Sequence, residues 1–254
     1  MQIVRYRDGD EIKTGVLEGD TVRQTRGDMF DRLNAGPAAG SLDEIQLVAP
    51  VAPGKLIAIG LNYKDHVEQD TDLDVPENPV IFMKPQTAII GPDEEIILPA
   101  GTEKVDAEAE LCIVIKSRCR HVKAADAESV ILGYCCGNDV SARDYQYTDG
   151  QWVRAKGFDT FAPLGPAIVT DIDPSNLAVT SRVNGEPGQS SSTSMLMFNI
   201  PTLIEFISGV MTLEPGDVIM TGTPAGPPRL SDGDVCEVEI EGLGVLRNPV
   251  RAES

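Results

Sequence analysis

This sequence predicts a mostly β fold of the mixed α+β class, with few helices and a small N-terminal β domain. Three observations carry that expectation. Turn-forming residues are abundant, 24 Gly and 18 Pro among 254 residues, which promises short segments joined by tight reversals. Apolar residues gather in short runs of buried-strand type bounded by those turn signals. Helical periodicity is clear in only two places, 124–133 and 200–211.

Residues 1–50 read as the small β domain. Strands are expected over 2–7, 11–17 and 21–24, separated by the Asp8-Gly9-Asp10 and Glu18-Gly19-Asp20 turns. Met29 to Asn34 is expected to add one or two helical turns. The Gly, Ala and Pro of 35–40, followed by Pro50, Pro53 and Gly54, place a boundary near residue 50 and leave 51–254 as the larger domain. There, strands are expected over 56–60, 80–83, 111–115, 167–169, 177–183, 218–221, 235–240 and 244–246, with Asn184-Gly185 as a hairpin turn. In the second helical stretch Leu203, Phe206, Ile207, Val210 and Met211 share one face beneath an Asn199 cap.

Charge narrows the function. With 21 Lys and Arg against 40 Asp and Glu the net charge is -19, which argues against nucleic acid and against an anionic membrane surface as partners. No apolar run reaches the roughly 18 residues of a membrane span, and residues 1–7 lack a signal-peptide core. A cytoplasmic protein is therefore expected. The five cysteines have no C-x-x-C spacing and read as reduced core residues. The acidic excess, with 8 Lys against 13 Arg, fits either a halophilic cytosol or an ordinary acidic protein.

Candidate chemistry starts at Asp106, Glu108 and Glu110, which as a strand would face one way and want a cation. By spacing alone a solvated strand face is the preferred explanation, because the alternation recurs at Asp70, Asp72, Asp74 and at Glu237, Glu239, Glu241. The 106–110 set differs in running directly into an apolar strand, where an unneutralised carboxylate is costly. Asp139 and Arg143 would form an i,i+4 pair if the chain turns helical there. Lys156, among Gly and aromatic residues, is an ammonium expected to titrate nearer neutrality if desolvated, or else a surface lysine. His66, in a polar segment after a strand end, is a candidate general base, whereas His121 reads as a surface imidazole.

Taken in order, the segments Gly60-Leu61-Asn62-Tyr63-Lys64-Asp65-His66, Phe82-Met83-Lys84-Pro85, Asp106 to Leu111, Asn138 to Asp144, Lys156 to Thr160 and Pro215 to Pro224 resemble the fumarylacetoacetate hydrolase family. The resemblance covers residues 55 to about 248. It implies a mixed β-sandwich roll, a homodimer, and a divalent cation held by Glu108, Glu110 and Asp139. It also implies Arg143, Gln146, Lys156 and Thr223 as substrate-side groups, with His66 on a lid segment. All-oxygen ligation suits Mg or Mn, with Ca a third candidate.

One position departs from the family. Where its hydrolases carry Glu three residues after the lid histidine, this chain has Gln69, which can orient an imidazole but not stabilise imidazolium with a full charge. The resemblance implies an enzyme acting on 2-oxo acids, acylpyruvates or oxaloacetate-like acids, that cleaves a carbon–carbon bond through a metal-stabilised enolate. Catalytic roles then fall to His66 and Lys156, and substrate binding to Arg143, Gln146 and Thr223. An isomerase or decarboxylase of hydroxymuconate-type dicarboxylates is the alternative within the family. A metal-bound ligand-binding domain without turnover is the alternative outside it.

Overall fold

The structure, a computed structural model, describes residues 1–70 and 74–253. Of the acidic alternation at Asp70, Asp72 and Asp74, Asp72 lies outside the described residues. The class is mostly β, as the turn-rich composition implies.

The first 41 residues form an antiparallel meander of Gln2–Asp8, Glu11–Glu18, Thr21–Asp28 and Arg32–Ser41. The helical turn expected over Met29 to Asn34 is absent. Asp28 closes a tight turn instead, its carboxylate accepting from Phe30 N and its carbonyl from Asp31 N, and the chain returns at once as a strand. The Gly/Ala/Pro stretch is part of that strand. Gly36 and Pro37 sit where two residues oppose one on the neighbouring strand, a bulge that tolerates a residue without an N–H.

Gln2 and Ile3 pair with Val169 and Ile168, so the meander continues into the main sheet. At its centre lies Ala109–Ile115, buried at every position. Ile131–Asn138 flanks it on one side and Val218–Met220 on the other, both antiparallel, followed by Leu56–Gly60 and Val80–Lys84. Both faces of this strand are covered: Leu111, Ile113 and Ile115 enter one core cluster, while Cys112 and Val114 enter another. That double burial is why the segment shows no polar alternation in sequence. A second sheet of five strands runs Glu186–Ser192, Ala178–Val183, Val235–Ile240, Gly244–Ala252 and Ile96–Leu98. Its first hairpin turns at Asn184-Gly185, whose φ values of +54° and +81° are those of a type I′ turn.

Helices are few. Ile200–Val210 starts where Asn199 Oδ1 accepts from Thr202 N at 3.1 Å. Its buried face is Ile200, Leu203, Ile204 and Ile207; Phe206 is half-buried and Val210 is 55% exposed, so the face is rotated from the one expected. The stretch 124–133 is not an α-helix. It is a 3₁₀ segment, Ala124–Val130, burying Ala127 and Val130 three apart, after which Ile131 joins the sheet. Among the described residues no helix is long and apolar enough to cross a membrane.

Candidate metal centre and active site

Two strands and a loop bring the acids together. Val105–Asp106 ends as a short strand, the chain kinks, and Ala109–Ile115 begins the central one. One side-chain and one backbone hydrogen bond stitch the kink to the end of the neighbouring strand: Glu108 N donates to Asn138 Oδ1 at 2.9 Å and Asp139 N to Glu108 O at 2.9 Å. Glu108, Glu110 and Asp139 are all buried, and one oxygen from each lies within 4.8 Å of the others. The kink excludes Asp106 from the cluster. Its carboxylate takes Arg143 Nε at 2.8 Å.

Three cations and the His66 imidazole surround this charge unevenly. Lys156 Nζ lies 2.7 Å from both Glu108 Oε2 and Asp139 Oδ2. Lys84, fully buried, binds the other Asp139 oxygen and the Val140 carbonyl. Arg143 Nη1 pairs with Glu108 Oε1 at 2.7 Å and donates to Gln146 Oε1 at 2.6 Å. His66 lines the same cavity as Glu108. Glu110, in contrast, accepts Gly222 N at 2.7 Å and forms no ion pair among the described residues.

The electrostatic consequences differ from residue to residue. Burial pushes Glu108 up, but Lys156 and Arg143 outweigh it and hold its carboxyl below the usual range. Burial and then the facing Asp139 and Glu108 charges push Glu110 well above that range. Lys156 does not titrate nearer neutrality, as its desolvation alone would require. Burial lowers its pKa, yet Asp139 and Glu108 more than reverse the effect. For Lys84 burial prevails and the pKa falls. Three buried carboxylates, one of them without an ion-pair partner among the described residues, are the donor chemistry of a hard divalent cation.

A small cavity opens beside the acids, and His66, Gln146, Lys156 and Thr223 all line it. His66 is 7% exposed, on the short helix Lys64–Asp70. Gln69, on the same helix, is exposed. Arg143 stands behind Glu108 rather than on the lining, and among the described residues its Nη2 has no hydrogen-bond partner. The expected helical pair of Asp139 and Arg143 does not form, because the helix Arg143–Thr148 begins only at Arg143, whose guanidinium turns to Asp106 and Glu108. His121 is exposed, as a surface imidazole should be.

Two contributors escaped the sequence reading. Lys84 lies within a quoted motif, but only the pairing of Val80–Lys84 with Leu56–Gly60 carries it to Asp139. Gln189, on the Glu186–Ser192 arm, gives no sequence signal. Its amide accepts Ala109 N at 2.9 Å and donates to Thr223 Oγ1 at 2.7 Å and Pro224 O at 2.6 Å, tying the Thr223 loop to the strand that bears the acids.

Residues 55–251 match the family described as fumarylacetoacetate (FAA) hydrolase C-terminal, and residues 1–50 match the one described as Rv2993c-like, N-terminal. The solved 5-carboxymethyl-2-hydroxymuconate delta-isomerase from Mycobacterium smegmatis is 47% identical and superposes with a TM-score of 0.92 over 100% of both chains. The mitochondrial oxaloacetate tautomerase Fahd2a of Rattus norvegicus is 45% identical over 219 residues, 82% of this chain and 70% of that protein. Maleylpyruvate hydrolase from Sphingobium sp. SYK-6, solved with manganese(II) ion and pyruvate, is 31% identical with a TM-score of 0.84 over 100% of both chains. With one family pattern running from the Leu56–Gly60 strand to the end of the second sheet, this chain belongs to the fumarylacetoacetate hydrolase family.

Proposed function

We propose that this protein is a divalent-metal-dependent enzyme that breaks a carbon–carbon bond in a 2-oxo acid, by decarboxylating an oxaloacetate-like acid or hydrolysing an acylpyruvate. The observation that carries the reading is the convergence of Glu108, Glu110 and Asp139 on a cavity that Lys156 also lines. These three carboxylates would hold Mg or Mn, or Ca, and the cation would supply Lewis acidity to a 2-oxo acid. Lys156 holds the negative charge that develops on the substrate oxygen as the bond breaks. Gln146 and Thr223, on the cavity lining, bind and orient the acid, with Arg143 behind Glu108 adding positive charge to the same side of the site. In hydrolysis a water proton passes to the His66 imidazole; loss of carbon dioxide needs no such transfer.

A specific observation favours a second reading. Gln69 is exposed and carries no charge to steady an imidazolium, so proton transfer without water attack, as in a tautomerase or an isomerase of hydroxymuconate-type acids, asks less of this site. The names of the rat and Mycobacterium smegmatis relatives support that reading too. In either case we assign residues 1–50 to an appended domain and 51–254 to the catalytic one, acting as a cytoplasmic homodimer on a small-molecule acid. The charge of -19 we assign to a cytosol of high salt.

The test is turnover with Mg or Mn across oxaloacetate, acylpyruvates and carboxymethyl-hydroxymuconates, following pyruvate release and enol absorbance separately. Pyruvate from oxaloacetate and acetylpyruvate is expected. Enol–keto interconversion without pyruvate selects the second reading, and silence across the panel refutes an enzyme and leaves a ligand-binding domain.

A further inference from the structure

Trp152 is the only tryptophan in the chain, and it lines the cavity that holds the acids. It precedes the single helical turn Val153–Lys156, and its carbonyl accepts Lys156 N at 2.9 Å, so indole and ammonium are carried by one turn. The ring meets Phe82 edge to face, with centroids 5.3 Å apart. Its Cε3–Cζ3–Cη2 edge rests on Gly60, at the end of the strand leading to His66. A Cβ at Gly60 would stand 2.3 Å from Cζ3 and 2.7 Å from Cη2, so the indole occupies the space of a missing side chain. Against this wall the cavity is about 20 Å³, room for roughly one water.

Several other walls are tied. Lys156, Glu108 and Asp139 hold one another, Thr223 is held by Gln189 and the Ala109 carbonyl, and Ile59 and Gly60 are paired with Ile81 and Val80. Trp152 is half-buried, and among the described residues nothing accepts from its indole N–H. The indole is thus a wall held by packing on Gly60 and Phe82 and not by a hydrogen bond.

We propose that Trp152 determines specificity by chain length: the indole seated on Gly60 admits short 2-oxo acids, such as oxaloacetate or acetylpyruvate, and discriminates against long-chain ones. This rests on the 2-oxo acid reading above. Any acid larger than the one-water cavity displaces the ring, and a longer chain must lift it farther from both Gly60 and Phe82 than a short acid does, losing more of those contacts.

The test measures binding by calorimetry, with Mg present and no turnover required, using pyruvate and 2-oxooctanoate as probes. Wild-type protein should bind pyruvate at least about tenfold more tightly than 2-oxooctanoate. Trp152→Ala should bring the two within about threefold by removing the wall. Trp152→Phe keeps a ring on Phe82, should give an intermediate ratio, and serves if Trp152→Ala fails to fold. Gly60→Ala, displacing the ring from beneath, should relax the ratio in the same direction and shift the emission of the single tryptophan. Equal binding of both acids by wild type, or a ratio unchanged in the Trp152 variants, would overturn the inference and leave the 2-oxo acid reading standing. Failure of every 2-oxo acid to bind any of these proteins would overturn both.

Discussion

Glu110→Gln should change the sign of its effect depending on whether a divalent cation is bound. At an effective dielectric of about 20, unit charges at the 4.8 Å limit of the cluster repel by about 3.5 kcal/mol. Facing both Glu108 and Asp139, an ionised Glu110 therefore bears about 7 kcal/mol of repulsion at that separation, of which protonation and the neighbouring lysine charges relieve part. The amide keeps an oxygen for Gly222 N while removing the charge. In EDTA the variant should melt several degrees above wild type, at about 2–4 °C per kcal/mol for a chain of this size. With Mg or Mn at about 100 times its Kd, wild type should gain about 2.7 kcal/mol, hence about 5–10 °C, and the variant should gain little. The pH dependence has a definite sign. The pKa of Glu110 is raised in the fold, so its contribution is present below the ordinary value of 4.5 and is lost as pH climbs through the higher folded value. Metal-free wild type should thus weaken relative to Glu110→Gln as pH rises above 4.5. Glu108 behaves oppositely, contributing above 4.5 and losing that contribution as pH falls through its depressed folded value. Thermal melts of both proteins with and without metal across pH decide the matter. A wild-type melting temperature indifferent to Mg and Mn, together with destabilisation by Glu110→Gln in EDTA, would refute the reasoning.

Three further outcomes are expected. Lys156→Met leaves Glu108 and Asp139 short of a buried partner, so in EDTA it should cost about 3–5 kcal/mol; it should also depress oxaloacetate decarboxylation and acylpyruvate cleavage alike, and unequal losses would deny it the common charge-holding role. His66→Ala should depress acylpyruvate cleavage far more than decarboxylation, with Gln69→Glu raising cleavage selectively by about one to two orders of magnitude at most; equal losses on His66→Ala would withdraw the water-activating role. Adding KCl from dilute to molar should raise the melting temperature by screening the charge of -19, and a flat or falling curve would leave an ordinary acidic protein.

Much of this architecture was legible because it is local. Short apolar runs, Asn184-Gly185 and the Asn199 cap mark strands, a hairpin and a helix start through backbone preferences that act within a few residues. Motif order marked Glu108, Glu110, Asp139, His66 and Lys156 as one group, and the fold brings all five to one cavity. Local reading failed where long-range pairing outweighed propensity. Met29 to Asn34 became a turn and strand because the Thr21–Asp28 ladder offered an edge, and 124–133 gave its second part to the sheet beside Ala109–Ile115.

The sequence by itself determined which groups are present: three acids running into apolar segments, lysines near them, an imidazole after a strand end, and one tryptophan. Tertiary structure alone decided their partners. Asp106 and Glu108 look equivalent by alternation, yet the kink between them sends one to Arg143 and the other to the cluster. Lys156 looks like an ordinary desolvated lysine until two carboxylates arrive 2.7 Å from it. Lys84, Gln189 and the seat of Trp152 on Gly60 depend on strands paired across long stretches of chain. The physical reason is range: dihedral preference and side-chain periodicity act over a few residues, whereas desolvation and charge pairing depend on whichever groups the closed core brings within a few ångströms.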